Sequence, residues 1–283
     1  MRKNGLLFNS TRMLLAAGLS LIVVLSACSA PDVRAIKLAY EKADYTVEAL
    51  GIDEVSIKAR NMPVKVTSSF ADDITIHYYT CEEDPYEVYL EGSILTLKYL
   101  NENLSKGTDS NPKVEVIVPA EYAGAFQLGT SNGAVSVSGL KSVRYVSINT
   151  SNAPIDLEHV ASDQVIAYTS NGAVTMDEVS VSGAVDMKSS NGTITARQVT
   201  ARDKLSMTTS NGRISIDQAA SAVIELSTSN GSISGSVEGK RSDYCITSGT
   251  SNGDNSLGDG GKGSSLLRAH TSNGNINIRF LGD

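Results

Sequence analysis

Four charged residues recur at one position of a sequence repeat and are the first candidates for catalytic chemistry. They are Glu158, Asp177, Arg197 and Asp217. Neighbouring carboxylates can act as a general acid and a general base in the cleavage of glycosidic bonds. Charge pairing on a solvated face explains the same residues, and we favour it because no further base accompanies them. We therefore predict that the protein is not an enzyme and has no catalytic residue.

Metal ligation has little support in the sequence. The histidines are far apart, at His77, His159 and His270, so the spacing of a metal site is absent. The glycine-rich stretch Gly253–Gly263 contains two aspartates but lacks the Gly-Gly-x-Gly-x-Asp array of calcium-binding β-helices. We predict no cofactor and no metal, and leave calcium at this stretch open.

The N-terminus points to processing and lipid attachment. Three basic residues lie within the first twelve positions, and an apolar run over roughly 13–24 ends in Leu25-Ser26-Ala27-Cys28. This is the layout of a secretory signal peptide, and its last four residues resemble the bacterial lipobox. The resemblance implies cleavage after residue 27 and acyl chains such as palmitate on Cys28. Several acyl chains at one residue anchor a protein firmly, so we expect a membrane-anchored lipoprotein on the extracytoplasmic side of a bacterial envelope.

The charge and the cysteine content of the mature chain exclude two classes of protein. After removal of residues 1–27 the chain keeps 21 basic and 31 acidic residues, a net charge of −10. Such a surface disfavours nucleic acid as a partner. Cys81 and Cys245 are the only cysteines besides Cys28, too few for a disulfide-rich fold. We predict that both are free thiols, several coils apart.

A four-residue motif organises the second half of the chain. Thr-Ser-Asn-Gly or a close variant occurs eight times, at intervals of 19 to 22 residues. The motif asparagines are Asn132, Asn152, Asn171, Asn191, Asn211, Asn230, Asn252 and Asn273. A period this short does not accommodate a propeller blade, and the leucine-rich-repeat signature is absent.

Apolar residues alternate with polar ones on both sides of each asparagine. The positions three and five residues after it, and four and six residues before it, are mostly apolar, and a further apolar column lies eight residues after it (Leu140, Val160, Val179 and Val199). This pattern predicts two half-buried strands that flank a corner. Antiparallel hairpins also place Asn-Gly between strands, but identical columns that recur once per period favour parallel stacking. We predict an all-β, parallel and right-handed β-solenoid with about 20 residues per coil.

The motif itself has a structural explanation. We expect its glycine to adopt the positive φ of a sharp corner, and its threonine and asparagine to face the core. The asparagine amide would bond the local backbone or the equivalent asparagine one coil away. Ala153, which replaces the glycine in one copy, should strain its corner. The eight asparagines are thus predicted to form a structural turn ladder, not a ligand site.

The repeats divide the chain into four predicted segments. These are the signal peptide (1–27), a lipidated tether (28–48), wider β-coils with three strands each (49–118) and the repeat solenoid (119–283). Tyrosines concentrate in the third segment, and we expect them to cap an open end of the solenoid rather than bind glycan. The last strand, Ile276–Phe280, has no obvious cap, so its edge could associate with another chain.

A family resemblance rests on the order of these parts. The segments Asp53–Tyr79, Tyr86–Lys98 and Val114–Pro119, followed by the Ser-Asn-Gly-x-Ile repeats, resemble the bacterial putative-adhesin family of β-strand-repeat domains of unknown function over 48–283. The resemblance implies a β-solenoid at the cell surface or in the periplasm. We expect the membrane as a partner through Cys28, and a surface protein or a glycan as a ligand. The alternatives are a carbohydrate-active β-helix enzyme and a self-assembling envelope protein.

Overall fold

The computed structural model describes residues 39–100 and 112–283, which form twenty β-strands and one 3-10 helix, Arg241–Asp243. The first ten strands are β1 (Glu41–Glu48), β2 (Glu54–Lys58), β3 (Val64–Ser69), β4 (Asp73–Thr80), β5 (Tyr86–Glu91), β6 (Ile94–Tyr99), β7 (Val114–Pro119), β8 (Ala125–Gly129), β9 (Val135–Ser138) and β10 (Val143–Asn149). The other ten are β11 (Ile155–Thr169), β12 (Val174–Val181), β13 (Ala184–Ser189), β14 (Ile194–Arg197), β15 (Thr200–Thr209), β16 (Ile214–Ser227), β17 (Ile233–Val237), β18 (Tyr244–Gly249), β19 (Ser265–His270) and β20 (Ile276–Phe280). Within these described ranges the structure contains no helix with the length and apolarity that a bilayer span requires.

The central coils confirm the parallel β-solenoid. Strands that precede an asparagine corner pair in parallel with their equivalents one coil away and form face A, which includes β8, β10, β13 and β15. Strands that follow the corner do the same and form face B, which includes β9, β12 and β14. β11 and β16 are long enough to contribute to both faces.

The apolar columns lie between the two faces, as the alternation predicts. In the coil of Asn171, the flanking side chains of Val165, Ala167, Val174 and Met176 are fully buried. The column eight residues after the asparagine is at most 2% exposed and closes the third side of the core. Burial of these columns supplies the main stabilisation, because each filled aliphatic side chain contributes about 1.5–3 kcal/mol.

In the five coils from Asn132 to Asn211, a second corner lies seven residues after the asparagine. These five positions have φ between 48° and 72°, and they are Gly139, His159, Glu178, Gln198 and Gln218. This left-handed conformation turns the chain from face B toward the third side of the core. Only one of the five residues is a glycine, so the other four adopt the conformation with a Cβ present. It has a cost for residues with a Cβ, which the buried residue that follows each of them offsets.

The C-terminal end does not stack in chain order. β19 and β20 pair with β16 and β17 of the Asn230 coil. β18, which precedes them in the chain, pairs with the outer side of β19. Residues 254–257 lie beyond β20, since the amide of Ser256 donates to the carbonyl of Ile276. The segment 244–263 therefore covers β19 and the start of β20 at Ile276, so the predicted free edge at Ile276–Phe280 is only partly covered.

The N-terminal end is built in the same interleaved way. β2 pairs in parallel with both β6 and β8, and β3 pairs with both β7 and β9. The first coil in the chain is thus the second in space. β5 adds to β6, and β4 adds to β7, in the antiparallel sense. The prediction of two wider three-stranded coils that lead directly into the repeats is wrong, because the extra strands cover the end of the stack.

The predicted tether extends too far into the fold. Residues 41–48 form β1, which pairs in full register with β4 from Glu41–Thr80 to Glu48–Asp73. The tyrosines of this region line the end of the core: Tyr86 is 7% exposed, and Tyr78 and Tyr99 are half-buried against the apolar cluster. This arrangement agrees with a capping role for them.

Candidate functional site

The motif asparagines form one continuous ladder along the corner between faces A and B. From Asn132 onward, each side-chain amide donates to the side-chain carbonyl of the preceding asparagine in the stack, over 2.5 to 2.8 Å. The spatial order is Asn61, Asn132, Asn152, Asn171, Asn191, Asn211, Asn230, Asn273 and Asn252. The asparagines face solvent, so the expectation that they turn toward the core is wrong. The threonine turns inward and the backbone bends before the asparagine.

Asn61 belongs to the ladder although no Thr-Ser-Asn-Gly motif marks it. It accepts the amide of Asn132 at 2.5 Å. Its flanking residues follow the repeat, with Val55 and Ile57 before it and Val64 and Val66 after it. A search for the apolar columns alone, without the motif letters, could have found this ninth rung.

The motif threonine connects successive coils on the buried side of the corner. In the Asn211 coil, the hydroxyl of Thr209 donates to the carbonyl of Gly192 at 3.1 Å and accepts the amide of Gly212 at 3.2 Å. Thr228 and Thr271 make the same pair of bonds in their coils. One buried hydroxyl thus satisfies a donor in its own coil and an acceptor in the coil beneath it.

The motif glycine is required for a different reason from the one predicted. Gly172, Gly192 and Gly212 do not have positive φ. A Cβ on Gly192 would overlap the carbonyl of Gly172 in the neighbouring coil, and the same holds along the column. The coils approach each other so closely here that a Cβ forces the neighbouring carbonyl to shift, which favours glycine.

The coil with alanine in the glycine position differs slightly in its corner bonds, and Ala153 does not have the positive φ on which its predicted strain rested. The amide of Ala153 reaches the hydroxyl of Thr150 at 3.4 Å, the longest of the equivalent bonds. Thr150 donates to the carbonyl of Ser131 at 3.3 Å, whereas Thr209 and Thr228 each donate to the carbonyl of a motif glycine. The corner is therefore kept in the coil with alanine, with a longer bond to its amide.

The charged column on face B forms pairs on an exposed surface. A carboxylate oxygen of Asp177 lies 3.4 Å from the guanidinium of Arg197, and Asp217 accepts the hydroxyl of Ser236 at 2.7 Å. His159 in the second corner lies 3.4 Å from Glu158 and 3.0 Å from Glu178. The geometry is that of charge pairing between neighbouring coils, which contributes little to stability.

The ion pairs on face A are shorter than the Asp177–Arg197 pair on face B. The carboxylate of Glu225 contacts Lys204 at 2.6 Å and Arg268 at 2.7 Å, so it ties three coils together. Hydrogen bonds from these two cations hold the pKa of Glu225 below its usual range. Further along the same face, Lys188 lies 4.6 Å from the ring centre of Tyr168, and hydrogen bonds to Asp186 and Tyr168 raise the pKa of its ammonium group.

Other predicted residues are placed as follows. Cys81 and Cys245 are free thiols, the first partly buried and the second exposed, and burial raises the pKa of Cys81.

Asp259 accepts the amide of Ser248 at 2.6 Å, so the Gly253–Gly263 stretch folds back over β18. Among the described residues there is no cluster of three metal-ligating side chains. Cys28 and the signal peptide lie outside the described residues.

The architecture defines a class: a parallel β-solenoid with a ladder of asparagines along one corner and with its ends covered by interleaved segments of its own chain. The chain belongs to the Toastrack DUF4097 family, whose model matches residues 52–279. This match confirms the family that the order of motifs predicted, with nearly the same N-terminal boundary.

Several solved structures have low similarity to the chain. A putative adhesin from Bacteroides fragilis is 13% identical with a TM-score of 0.40, and the alignment covers 86% of this chain and 100% of that chain. A putative cell adhesion protein from Clostridium sporogenes is 7% identical with a TM-score of 0.29, over 86% and 100% of the two chains. A putative adhesin from Parabacteroides merdae is 10% identical with a TM-score of 0.32, over 85% and 96%. No curated protein matches the chain.

Proposed function

We propose that the mature protein is a lipid-anchored, non-enzymatic protein of the bacterial cell envelope that binds a surface protein or a glycan, as an adhesin or an interaction scaffold. The observation that carries the location is Cys28 at the end of Leu25-Ser26-Ala27-Cys28. The proposed order is a signal peptide over 1–27, a lipidated cysteine with a short tether up to residue 40, and the solenoid.

The surface of the solenoid supports binding to a large partner. Equivalent positions of neighbouring coils are about 4.8 Å apart, so each exposed column presents a row of similar groups along the stack. Repeat proteins use such extended surfaces for macromolecular partners. The net charge of −10 for the mature chain adds a preference for partners that are not themselves strongly acidic.

The anchor is tested by substitution of the lipidated cysteine. Full-length protein is expressed in a bacterial host, cells are fractionated, and the N-terminal peptide is analysed by mass spectrometry. We expect wild type in the membrane fraction with a diacylated N-terminal cysteine, and Cys28→Ala in the soluble or unprocessed fraction. Cys81→Ser is the matched control and should behave as wild type. Membrane retention of processed Cys28→Ala would contradict the proposal.

The non-enzymatic part of the proposal is tested at the charged column. We expect no release of products from pectin, peptidoglycan or other envelope glycans after long incubation with the protein. Product release that Asp177→Asn abolishes would establish the alternative, a carbohydrate-active enzyme on a solenoid scaffold.

A further inference from the structure

A cleft lies at the N-terminal end of the solenoid, away from the asparagine ladder. The loop between β1 and β2, the turn between β3 and β4, and the turn between β7 and β8 enclose it, and Arg144 of β10 lies beside them. Its volume is about 380 Å³, within the range of sites that hold a small ligand or a few residues of a peptide.

A buried hydroxyl without a partner lies in the wall of this cleft. Tyr122 is 6% exposed, and its ring packs edge-on against Phe126 with 5.5 Å between the ring centres. Within the described part of the chain its hydroxyl has no hydrogen-bond partner. Buried polar groups of native proteins are nearly always bonded, so this donor indicates that a partner is missing. The hydroxyl lies against Gly124, where a Cβ would overlap it.

Two large apolar side chains near the cleft face solvent: Leu50 lines it, and Phe70 lies in the turn that contributes Asp72 to its lining. Leu50 is 86% exposed and Phe70 is 99% exposed, the two most exposed large apolar residues of the described chain. They lie on neighbouring turns, because β1 and β4 pair as far as Glu48 and Asp73. Large apolar side chains exposed on two neighbouring turns indicate a contact site for a partner.

The charged residues around the cleft indicate which charge a partner should carry. Asp53, Asp72 and Glu121 line it together with one cation, Arg144, and the ammonium of Lys141, outside the lining, lies 4.0 Å from Glu121. The guanidinium of Arg144 is directed at the backbone carbonyl of Asp53, at 3.3 Å. The carboxylates therefore outnumber the cation, and they are exposed enough to meet an incoming charge.

We propose that this cleft binds an extended segment of a partner protein in which a lysine or arginine lies next to a large aliphatic residue. The basic group pairs with Asp72 and Glu121, the aliphatic side chain packs between Leu50 and Phe70, and a carbonyl of the segment accepts the hydroxyl of Tyr122. The inference rests on the proposed interaction role and gives that role a place and a partner chemistry.

A labelled peptide provides the first test. The full chain in detergent micelles is titrated against fluorescent Gly-Leu-Lys-Leu-Lys-Gly, with Gly-Leu-Glu-Leu-Glu-Gly and Gly-Ser-Lys-Ser-Lys-Gly as controls, and anisotropy is recorded. We expect only the basic apolar peptide to bind, with an affinity that falls at least tenfold in the Asp72→Asn, Glu121→Gln double variant. Asp156→Asn, an exposed acid on face B, should change nothing. Absence of binding, equal binding of the acidic peptide, or an unaffected double variant would each overturn the proposal.

Removal of the unpartnered hydroxyl provides the second test. Tyr122→Phe should fold with an unchanged or higher Tm, because no bond is lost in the free protein, but should bind the peptide at least threefold more weakly. Unchanged affinity would overturn the assignment. Neither test depends on the membrane, so a failure here is distinguishable from a failure of lipidation at Cys28.

Discussion

The middle of the solenoid and its two ends follow different rules. From Asn132 to Asn230 the coils stack in the order of the chain, and each asparagine bonds the asparagine of the preceding coil. At the C-terminal end the order becomes Asn230, Asn273, Asn252. At the N-terminal end the coil of Asn61 lies between β6–β7 and β8–β9.

The difference shows how a solenoid of this kind is closed. In the middle, every coil is covered by an equivalent coil, so one sequence pattern serves all of them. A terminal coil has no such neighbour and exposes both apolar core and unpaired strand edge. At the C-terminal end the chain passes outward, forms a less regular layer, and returns to fill the place beneath it. At the N-terminal end the inner coil of Asn61 comes first in the chain and the covering coil of β6 and β7 follows it. The last coil of the sequence is therefore an internal coil of the structure.

Deletion of an end coil should have the largest effect and would test the interleaving directly. Removal of residues 264–283 takes out β19 and β20, and with them the buried side chains of Leu267, Ile276 and Ile278. We expect a loss of about 5 kcal/mol or more. β18 should also lose its amide protection in hydrogen exchange, because it pairs with β19. Full protection of β18 in the truncated protein would contradict the interleaved order.

A middle coil of the same length is the matched control. Deletion of residues 172–191 joins Asn171 to Gly192 and leaves every column in register. We expect this shortened protein to keep a cooperative transition and the amide protection of β18, with the stability of about one coil lost. The two deletions therefore separate a coil that is replaceable from one that holds another segment in place.

A methyl group in the glycine column should have a smaller but definite effect. Gly192→Ala places a Cβ against the carbonyl of Gly172, and we expect a loss of about 1–3 kcal/mol by overpacking. The control is Gly129→Ala, whose Cβ would lie 3.6 Å from the nearest carbonyl, that of Ile57. Chemical denaturation of both variants measures the difference, and equal losses would refute the close-approach explanation.

The periodic columns of the sequence predicted the middle of the fold but not the order of its ends. Equivalent coils stack equally well in any order, since each presents the same columns to its neighbours. One signal was present nevertheless: the Asn252 coil has Ser248 and Asn255 at positions that are apolar elsewhere. A coil with polar inward residues is poorly suited to lie between two others, and it is found at the end of the stack.

The asparagine ladder and the cleft also differ in how far the sequence predicts them. The ladder follows from a local repeat, and Asn61 could have been added from its flanking residues. The cleft around Tyr122 is formed by three turns that are distant in sequence, at 49–53, at Asp72 and at 119–124. They come together only in the folded chain. The role of the glycine column was misassigned because a corner glycine indicates either positive φ or close approach, and the sequence does not distinguish them.

The smallest expected effect concerns the junction between the regular coils and the out-of-order end. Glu225 bonds Lys204 on one side and Arg268 of β19 on the other, and these bonds hold its pKa below the usual range. A carboxyl with a lowered folded pKa stabilises the fold above its unfolded pKa of about 4.3. That contribution is lost as the pH falls through the folded value.

A double-mutant cycle with Glu225→Gln and Arg268→Met measures this contact. We expect a coupling energy of about 0.2–1 kcal/mol at pH 6, because the pair is partly exposed, and a decline as the pH is lowered through the folded pKa of the carboxylate. The coupling joins two residues 43 positions apart. In a stack that followed chain order the Asn252 coil would separate them, so a measurable coupling that disappears in acid is evidence in solution for the interleaved end.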